Sequence, residues 1–347
     1  MPASVSPALR RGAIESLSRS AAPLGLAIYG PTAIGKTALA MALVDSLASE
    51  LPIRLISVDS ALVYRGMDIG TGKPTIEQLR RYPHELIDII DPAERYSVAL
   101  FLESAAKLFS AATQAGELPV FVGGTMLYFK ALRDGLAELP AADAELRMHL
   151  QHRLEQQGAQ ALHAELAQKD PETAQQIVPT NTQRLLRALE VLTLTGRGLA
   201  QYWRAQHERE TNSPIEALGG RLLEFGLAPV SRPALHERIS ERFDLMLAAG
   251  LVDEVSALRA RGDLSLELPS MRSVGYRQVW QHLDAETTLT QASDAAKTAT
   301  RKLAKRQLTW MRGWQSLPGV SVLECGPAPT DLLAPLLHSC KIQGLQP

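Results

Sequence analysis

The sequence predicts an α/β fold in which a parallel sheet is flanked by helices, with a helical insertion domain and a helical C-terminal part. Three observations predict it. Short apolar runs typical of buried strands alternate with helical segments up to about residue 138. Residues 139–205 show helical patterns without strand signals. A further apolar run at 221–228 then predicts a strand that returns to the sheet.

The first strand is followed by the motif around which the chain is organised. The apolar run 24–29 leads into GPTAIGKT at 30–37, and residues 38–44 continue as a helix. This is the G-x-x-x-x-G-K-T pattern of a P-loop, in the strand–turn–helix context that the pattern requires. Its backbone N–H groups and helix N-terminus favour an anion. The motif predicts a polyphosphate site in a P-loop NTPase-like sheet, but it identifies neither the polyphosphate nor the bond that breaks.

The pattern divides the chain into five parts. Residues 1–22 are rich in Ser, Ala and Arg and lack an apolar signal-peptide core, which predicts a disordered tail. The first part of the P-loop core spans 23–138, and the helical insertion spans 139–205. A polar linker precedes the returning strand and helical part at 220–316. Residues 317–347 are interpreted as a tail with turns and one short apolar helix.

Composition excludes several classes of protein. The net charge of −1 predicts neither a nucleic-acid nor a membrane partner from bulk charge, although a local basic face remains possible. No apolar run is long enough for a membrane span. The two cysteines, Cys325 and Cys340, form no C-x-x-C pair, which fits a reducing cytoplasm. We therefore expect a cytoplasmic protein without a membrane partner.

Polar residues follow several predicted strands, where ligands of open α/β sheets bind. Asp59 follows the second strand and is a candidate base or metal partner, or only a helix cap. Asp91 ends an apolar run from His84 and is a weak candidate for holding Mg²⁺. The turn Gly123-Gly124-Thr125 follows the fourth strand. The glycine-rich segment 66–74 predicts a mobile loop near the site.

The last long helix, at about 294–314, carries a basic stripe. Lys297, Arg301 and Lys305 are spaced by four, and no Asp or Glu occurs from 295 to 315. Trp310 and Trp314 share the same spacing. A basic helical face with aromatic residues favours contact with a nucleic-acid backbone over a merely solvated surface.

The residues alone leave three functions open. One is phosphoryl transfer from ATP to a small acceptor, as in a P-loop kinase. The second is a transferase whose P-loop holds a diphosphate leaving group, with nucleic acid as acceptor. The third is a nucleotide-dependent binding switch, which would need loops that sense the γ-phosphate.

Further motifs resemble the tRNA dimethylallyltransferase (tRNA isopentenyltransferase) family. The resemblance extends in the family's order from about residue 24 to 314. The most specific stretches are DSALVYRGMDIGT at 59–71 and GGTMLYFKAL at 123–132. Others are SVGYRQ at 273–278 and AKRQLTWMR at 304–312. The eukaryotic C-terminal zinc finger does not follow, so the resemblance is to the bacterial type.

The resemblance implies transfer of a dimethylallyl group from dimethylallyl diphosphate to N6 of adenosine 37 of tRNA, with Mg²⁺ as cofactor. Asp59, Thr125 and Arg242 would be catalytic, and Thr37 would bind the metal. The implied diphosphate-binding residues are Gly30, Pro31, Thr32, Ala33, Ile34, Gly35, Lys36 and Thr37. The implied tRNA-binding residues are Asp59, Ser60, Ala61, Leu62, Thr125, Arg147, Gln183, Arg184, Arg187, Arg272, Gly275, Tyr276, Arg277, Lys305, Arg306, Gln307, Trp310 and Arg312.

Two departures from the family pattern lie near the expected site. Ile34 stands where relatives often carry Ser, which predicts the loss of one hydroxyl near the diphosphate. Gly72 stands where Ala is usual, which predicts a looser loop. The expected partners are tRNA, through its anticodon stem-loop, and dimethylallyl diphosphate, and the expected state is a monomer.

Overall fold

A computed structural model of the chain describes residues 6, 8, 11, 22–208 and 213–344. They fall into two compact units. The first comprises the residues up to Arg133 and from Pro214 onward, and the second is Asp134–Ser213. Most of the tail predicted at 1–22 lies outside the described residues, as do 209–212 of the predicted linker.

The first unit is built on a six-stranded sheet with the order β3-β2-β4-β1-β5-β6. All five strand pairs are parallel. The strands are β1 (Leu24–Tyr29), β2 (Ile53–Val58), β3 (His84–Glu85), β4 (Leu118–Gly123), β5 (Arg221–Pro229) and β6 (Val320–Cys325). This arrangement confirms the predicted parallel sheet, with β1 and the P-loop near its centre.

Helices cover both faces of the sheet. Within the described residues of this unit, they are α1 (Lys36–Leu47), α2 (Ile76–Arg81), α3 (Val98–Gln114), α4 (Met126–Asp134), α9 (Arg232–Ala248), α10 (Leu251–Ala260), α11 (Tyr276–Leu283), α12 (Leu289–Trp314) and α13 (Leu333–Gly344). Alternate residues of β1 enter different apolar clusters: Leu26 and Ile28 pack on one face, Ala27 and Tyr29 on the other. Because β1 is buried on both faces, its sequence is an uninterrupted apolar run.

The third strand is shorter than the apolar run 84–90 suggests. It ends at Glu85, because Leu86 and Asp88 adopt φ angles of +64° and +56°. A left-handed backbone cannot continue a strand. Only a single parallel bridge, Tyr64 to Ile90, continues the pairing further along the run.

The short apolar helix predicted within residues 317–347 is present as α13, but the rest of this segment is not a tail outside the sheet. Val320–Cys325 forms β6, which pairs with β5 as the edge strand of the sheet. Helix α13 then buries Leu336, Leu337 and Cys340 in the same apolar cluster as the P-loop residue Ile34. The sequence signal for β6 was weak because an edge strand is only partly buried.

The second unit consists of helices in its described part, as predicted. They are α5 (Ala144–Lys169), α6 (Pro171–Gln175), α7 (Thr182–Thr195) and α8 (Leu199–His207). The sequence offers Asn181 or Thr182 as the N-cap of a helix that ends before Gly196. In the structure the Asn181 side chain caps α7, and Gly196 ends it in the left-handed conformation. Gly158 kinks α5. Leucines of α5 and α7 form the core of this unit.

No helix in the described ranges is long and apolar enough to cross a membrane.

Candidate active site

The P-loop joins β1 to α1 in a conformation suited to an anion. Ala33 and Gly35, on either side of Ile34, have φ angles of +63° and +97°, and a turn with such left-handed residues aims successive N–H groups into one concavity. Lys36 opens α1, and its Nζ donates a hydrogen bond to the carbonyl of Pro31 at 2.9 Å. The loop therefore supplies backbone donors, a helix N-terminus and a cation at one point.

Ile34 does not remove a hydroxyl from this site. Its side chain is completely buried in the apolar cluster under the sheet, together with Leu39 and Leu336. The Cys325 thiol, at the end of β6, donates to the Ile34 carbonyl at 3.4 Å. The C-terminal strand thus contacts the backbone of the P-loop. The isoleucine side chain at position 34 packs in the apolar core.

A cavity of about 560 Å³ opens in front of the P-loop. The predicted site residues that line it are Thr32, Ala33, Lys36, Thr37, Asp59, Ser60, Ala61, Leu62, Thr125, Arg242, Arg272, Arg306, Gln307 and Trp310. Asp59 is the only carboxylate among these lining residues. The cavity therefore combines one candidate base with several cations.

Asp59 lies where β2 ends, as predicted. Its Oδ1 accepts hydrogen bonds from the N–H groups of Ala61 at 2.8 Å and Leu62 at 3.4 Å. These bonds fix the carboxylate in a turn of the kind that Asp favours. Within the described part of the chain, Oδ2 accepts no hydrogen bond, so one oxygen remains available for a proton.

Thr125 ties the end of β4 to the end of β2. Its Oγ1 accepts from the Ser60 N–H at 3.0 Å, and its own N–H donates to the Val58 carbonyl at 3.2 Å. The two polar strand ends are therefore held side by side, and both line the cavity.

Three charges at the P-loop influence one another. Burial lowers the pKa of Lys36 to about 8; the Asp59 carboxylate opposes this shift and Arg242 adds to it. Burial also lowers the pKa of Arg242, and Asp59 again opposes the shift. Asp59 thus stabilises both cations, and a bound polyanion would do so more strongly.

Arg242, on α9, reaches the site beside the glycine-rich loop. Its Nη2 donates to the Thr71 carbonyl at 3.4 Å. A Cβ atom on Gly72 would lie 1.8 Å from this nitrogen, so glycine leaves the space that the guanidinium occupies. Lys73, with 4% of its side chain exposed, pairs with the carboxylates of Asp68 and Asp88 at the end of this loop.

Gln307, predicted to bind tRNA, lines the cavity and connects two of its walls. Only 5% of the residue is exposed. Its Oε1 accepts from the Thr32 N–H at 2.9 Å, and its Nε2 donates to the Gly124 carbonyl at 2.8 Å. Helix α12 thereby joins the P-loop to the turn after β4. Nothing in the local sequence reveals a bond to a residue 275 positions away.

The basic stripe of α12 serves two purposes. Lys297 pairs with Asp244 at 2.6 Å, and Trp314 is buried beneath the guanidinium of Arg133. These residues stabilise the fold. Four cations, Lys302, Lys305, Arg306 and Arg312, are exposed and have no ion pair in the described structure. Beside them, the half-buried Trp310 lines the cavity.

The exposed cations of α12 give a test of RNA binding. In the double variant Lys305→Gln/Arg306→Gln, we expect the slope of log Kd for tRNA against log salt to fall by roughly 1 to 2, since each phosphate contact contributes just under one unit. The matched control, Arg80→Gln/Lys107→Gln, removes the same charge from exposed positions elsewhere. An unchanged slope in the α12 variant would mean that the stripe is only solvated.

The other predicted RNA contacts differ in exposure. Tyr276 is fully buried, so its side chain supports the fold and does not face RNA, and Gly275 is the buried N-cap of α11. Arg272 and Arg277 are exposed beside them. In the helical unit, Gln183 and Arg184 are exposed. There the exposed Arg147 and the half-buried Arg187 both pair with the buried Glu190.

Asp91 lies outside the cavity. Its two oxygens accept hydrogen bonds from Arg261 at 2.8 and 3.1 Å, which lowers the pKa of this carboxyl group. It is therefore not the predicted partner of a metal at the P-loop. No cluster of three His, Cys, Asp or Glu side chains suited to a metal occurs in the described ranges. Thr37, exposed at the start of α1, lines the cavity.

A second cavity, of about 480 Å³, lies on another side of the P-loop. Lys36, Thr37 and Arg242 line both cavities. The second also has Lys73 and Arg238 in its wall and no carboxylate among its lining residues. Lys36 and Arg242 can therefore be approached from two sides, and only one of these sides carries Asp59.

The fold and the cavities define a P-loop α/β protein with a basic site built around one carboxylate. The family model described as IPP transferase matches residues 62–314, and the chain belongs to this family. A tRNA dimethylallyltransferase of Chromohalobacter salexigens is 54% identical over 295 residues, which cover 85% of this chain and 91% of that protein. The tRNA dimethylallyltransferase 2 of Hahella chejuensis is 48% identical over 328 residues, covering 92% and 98%.

A solved structure agrees with the fold. The full-length tRNA isopentenylpyrophosphate transferase of Bacillus halodurans superposes with a TM-score of 0.64 at 37% identity, covering 93% of this chain and 96% of that one. The resemblance found in the sequence motifs is thereby confirmed at the level of the family. The kinase alternative is not favoured by these comparisons.

Proposed function

We propose that the protein transfers a dimethylallyl group from dimethylallyl diphosphate to N6 of adenosine 37 in tRNA and releases diphosphate. The observation that carries the proposal is the position of Asp59. Among the described residues it is the only carboxylate that lines the cavity, and its charge acts on both Lys36 and Arg242. A candidate base next to a polyphosphate-binding loop suits a transfer reaction in which diphosphate is the leaving group.

In this reaction the bond between C1 of the dimethylallyl group and the diphosphate oxygen breaks, and a bond from C1 to N6 forms. Negative charge grows on the leaving diphosphate. Lys36, the P-loop N–H groups and Arg242 therefore stabilise the transition state more than the ground state. The N6 proton passes to the free oxygen of Asp59, whose other oxygen is held by the turn.

The donor set at the P-loop suits Mg²⁺. This ion is usually held by one or two protein oxygens together with phosphate oxygens and water. The Thr37 hydroxyl, exposed at the start of α1, would be the protein ligand. When bound, Mg²⁺ would neutralise charge on the leaving diphosphate.

The acceptor base is proposed to enter the cavity that contains Asp59. Trp310 offers an aromatic face there, and Arg272 and Arg306 line the same wall. Recognition of unpaired bases by stacking and of the RNA backbone by arginine is typical of RNA-binding proteins. The donor would reach Lys36 and Arg242 through the second cavity, where no carboxylate that would repel it occurs among the described lining residues.

The proposal is tested by incubating the protein with unmodified tRNA, Mg²⁺ and either dimethylallyl diphosphate or ATP, followed by mass analysis of the nucleosides. We expect an adenosine that carries one dimethylallyl group, and only with the first donor. A reaction that yields no such nucleoside, but moves phosphate from ATP to an acceptor, would support the kinase alternative instead.

A further inference from the structure

Glu254, on α10, holds the glycine-rich loop that follows β2. Its Oε2 accepts hydrogen bonds from the N–H groups of Asp68 at 2.9 Å and Ile69 at 2.8 Å. Its Oε1 accepts from the Gly70 N–H at 3.1 Å. Three successive backbone donors thus converge on one carboxylate, an arrangement that is strong because the acceptor is charged.

Tyr276 completes this arrangement. Its hydroxyl donates to Glu254 Oε1 at 2.6 Å. Its buried ring lies so close to Gly70 that a Cβ atom there would be 2.5 Å away, so only glycine fits. The hydroxyl is held as a neutral donor, because burial and the adjacent Glu254 raise the pKa of Tyr276 well above its usual range.

The same loop contacts the guanidinium group of Arg242. The residues directly after Gly70 are Thr71, whose carbonyl accepts from the Arg242 guanidinium, and Gly72, whose missing side chain makes room for it. Gly70, Thr71 and Gly72 all line the main cavity. In the described structure Arg242 has no ion pair, so the loop is its direct support on this side.

We propose that Glu254 and Tyr276 are positioning residues, which fix residues 68–72 so that the Arg242 guanidinium faces the diphosphate. Neither residue lines either cavity, so neither is expected to touch a substrate. Glu254 is also not a base, because its oxygens already accept four hydrogen bonds. This proposal rests on the proposed function for its reaction, but its test does not require turnover.

The test measures the Kd of inorganic diphosphate with Mg²⁺ by calorimetry. In Glu254→Gln, one oxygen becomes an amide that cannot accept from the loop N–H groups. We expect the affinity for diphosphate to fall about tenfold, in line with the loss of charged hydrogen bonds. The Kd for tRNA should stay within about twofold of the wild type. Glu103→Gln, an exposed glutamate paired with Lys107, is the matched control and should bind diphosphate like the wild type.

A double-mutant cycle separates positioning from general damage to the fold. If Glu254 acts through Arg242, Glu254→Gln should cause no further loss of diphosphate affinity in a protein that already carries Arg242→Gln. A loss of the same size in both backgrounds, or wild-type affinity in Glu254→Gln, would overturn the proposal.

Tyr276→Phe provides a second, milder probe that keeps the packing on Gly70. It removes one of the four bonds to Glu254, and we expect a loss of diphosphate affinity of about two- to fivefold. An unchanged affinity would count against the proposal even if Glu254→Gln did not fold. A wild-type protein that binds diphosphate but transfers no dimethylallyl group would refute the proposed function and leave this inference standing.

Discussion

Replacing Asp59 by asparagine is expected to lower the turnover number roughly 100- to 10,000-fold, the range that a positioned general base contributes. Asparagine can still accept hydrogen bonds from the N–H groups of Ala61 and Leu62, so the turn at the end of β2 should persist. The tRNA Kd should therefore change little. Single-turnover transfer and tRNA binding, measured on the same preparation, give the two quantities.

Asp91→Asn is the matched control for this substitution. Asp91 was also predicted to follow a strand, but it pairs with Arg261 outside the cavity. We expect its turnover number to remain within a few-fold of the wild type, as for an exposed ion pair. Equal losses of turnover and tRNA affinity in Asp59→Asn would contradict a base role and indicate a structural one.

Replacing Lys36 by methionine should lower kcat/KM about 100- to 1,000-fold, since it removes a preorganised cation from the leaving diphosphate. Methionine keeps much of the length and volume of the lysine side chain. The loss should appear in diphosphate affinity as well, but not in tRNA affinity. A normal kcat/KM in Lys36→Met would mean that the P-loop does not hold the leaving group.

The lowered pKa of Lys36 makes this contribution dependent on pH. Burial brings its pKa to about 8, so the cation is fully present below that value and is lost as the pH rises through it. Above it, the Kd of the wild type for diphosphate should rise by up to about tenfold per pH unit. The Lys36→Arg variant should stay charged over this pH range. The titration of diphosphate itself affects both proteins alike. The difference between their Kd values for diphosphate therefore reports the titration of Lys36.

Local patterns predicted the parts of the site that depend on local structure. The P-loop follows from eight consecutive residues, and the positions of Asp59 and Thr125 follow from the rule that parallel strands end at one edge of the sheet. The structure brings Asp59, Thr125 and four of the P-loop residues, Thr32, Ala33, Lys36 and Thr37, to one cavity. The caps of α7 were equally readable, because Asn181 and Gly196 act on the helix that they adjoin.

Contacts between distant residues could not be predicted in this way. The bonds from Gln307 to Thr32 and from Glu254 to the glycine-rich loop join positions that are 275 and about 185 residues apart. Their sequence signal is a polar residue on a helix, which usually indicates exposure. For the same reason, Lys297 was placed in the basic stripe, although in the structure it pairs with Asp244 of another helix.

Two strand predictions failed, because backbone conformation and strand pairing, and not the pattern of side chains, determined where these strands lie. The run at 84–90 contains four apolar residues, but the left-handed conformations of Leu86 and Asp88 end β3 after two residues. Residues 320–325 carry little apolar periodicity because β6 packs at the edge of the sheet. Its pairing with β5 depends on a neighbour about 100 residues earlier in the chain.

In the proposed reaction the P-loop holds a diphosphate that leaves as an acceptor base is alkylated. The most direct measurement is a single-turnover reaction in which released diphosphate and modified adenosine are counted together, with the modified position located by fragment mass analysis. We predict equal amounts of the two products, modification at adenosine 37 alone, and loss of both in Lys36→Met. Diphosphate release without modified RNA, or release of orthophosphate instead, would contradict the account.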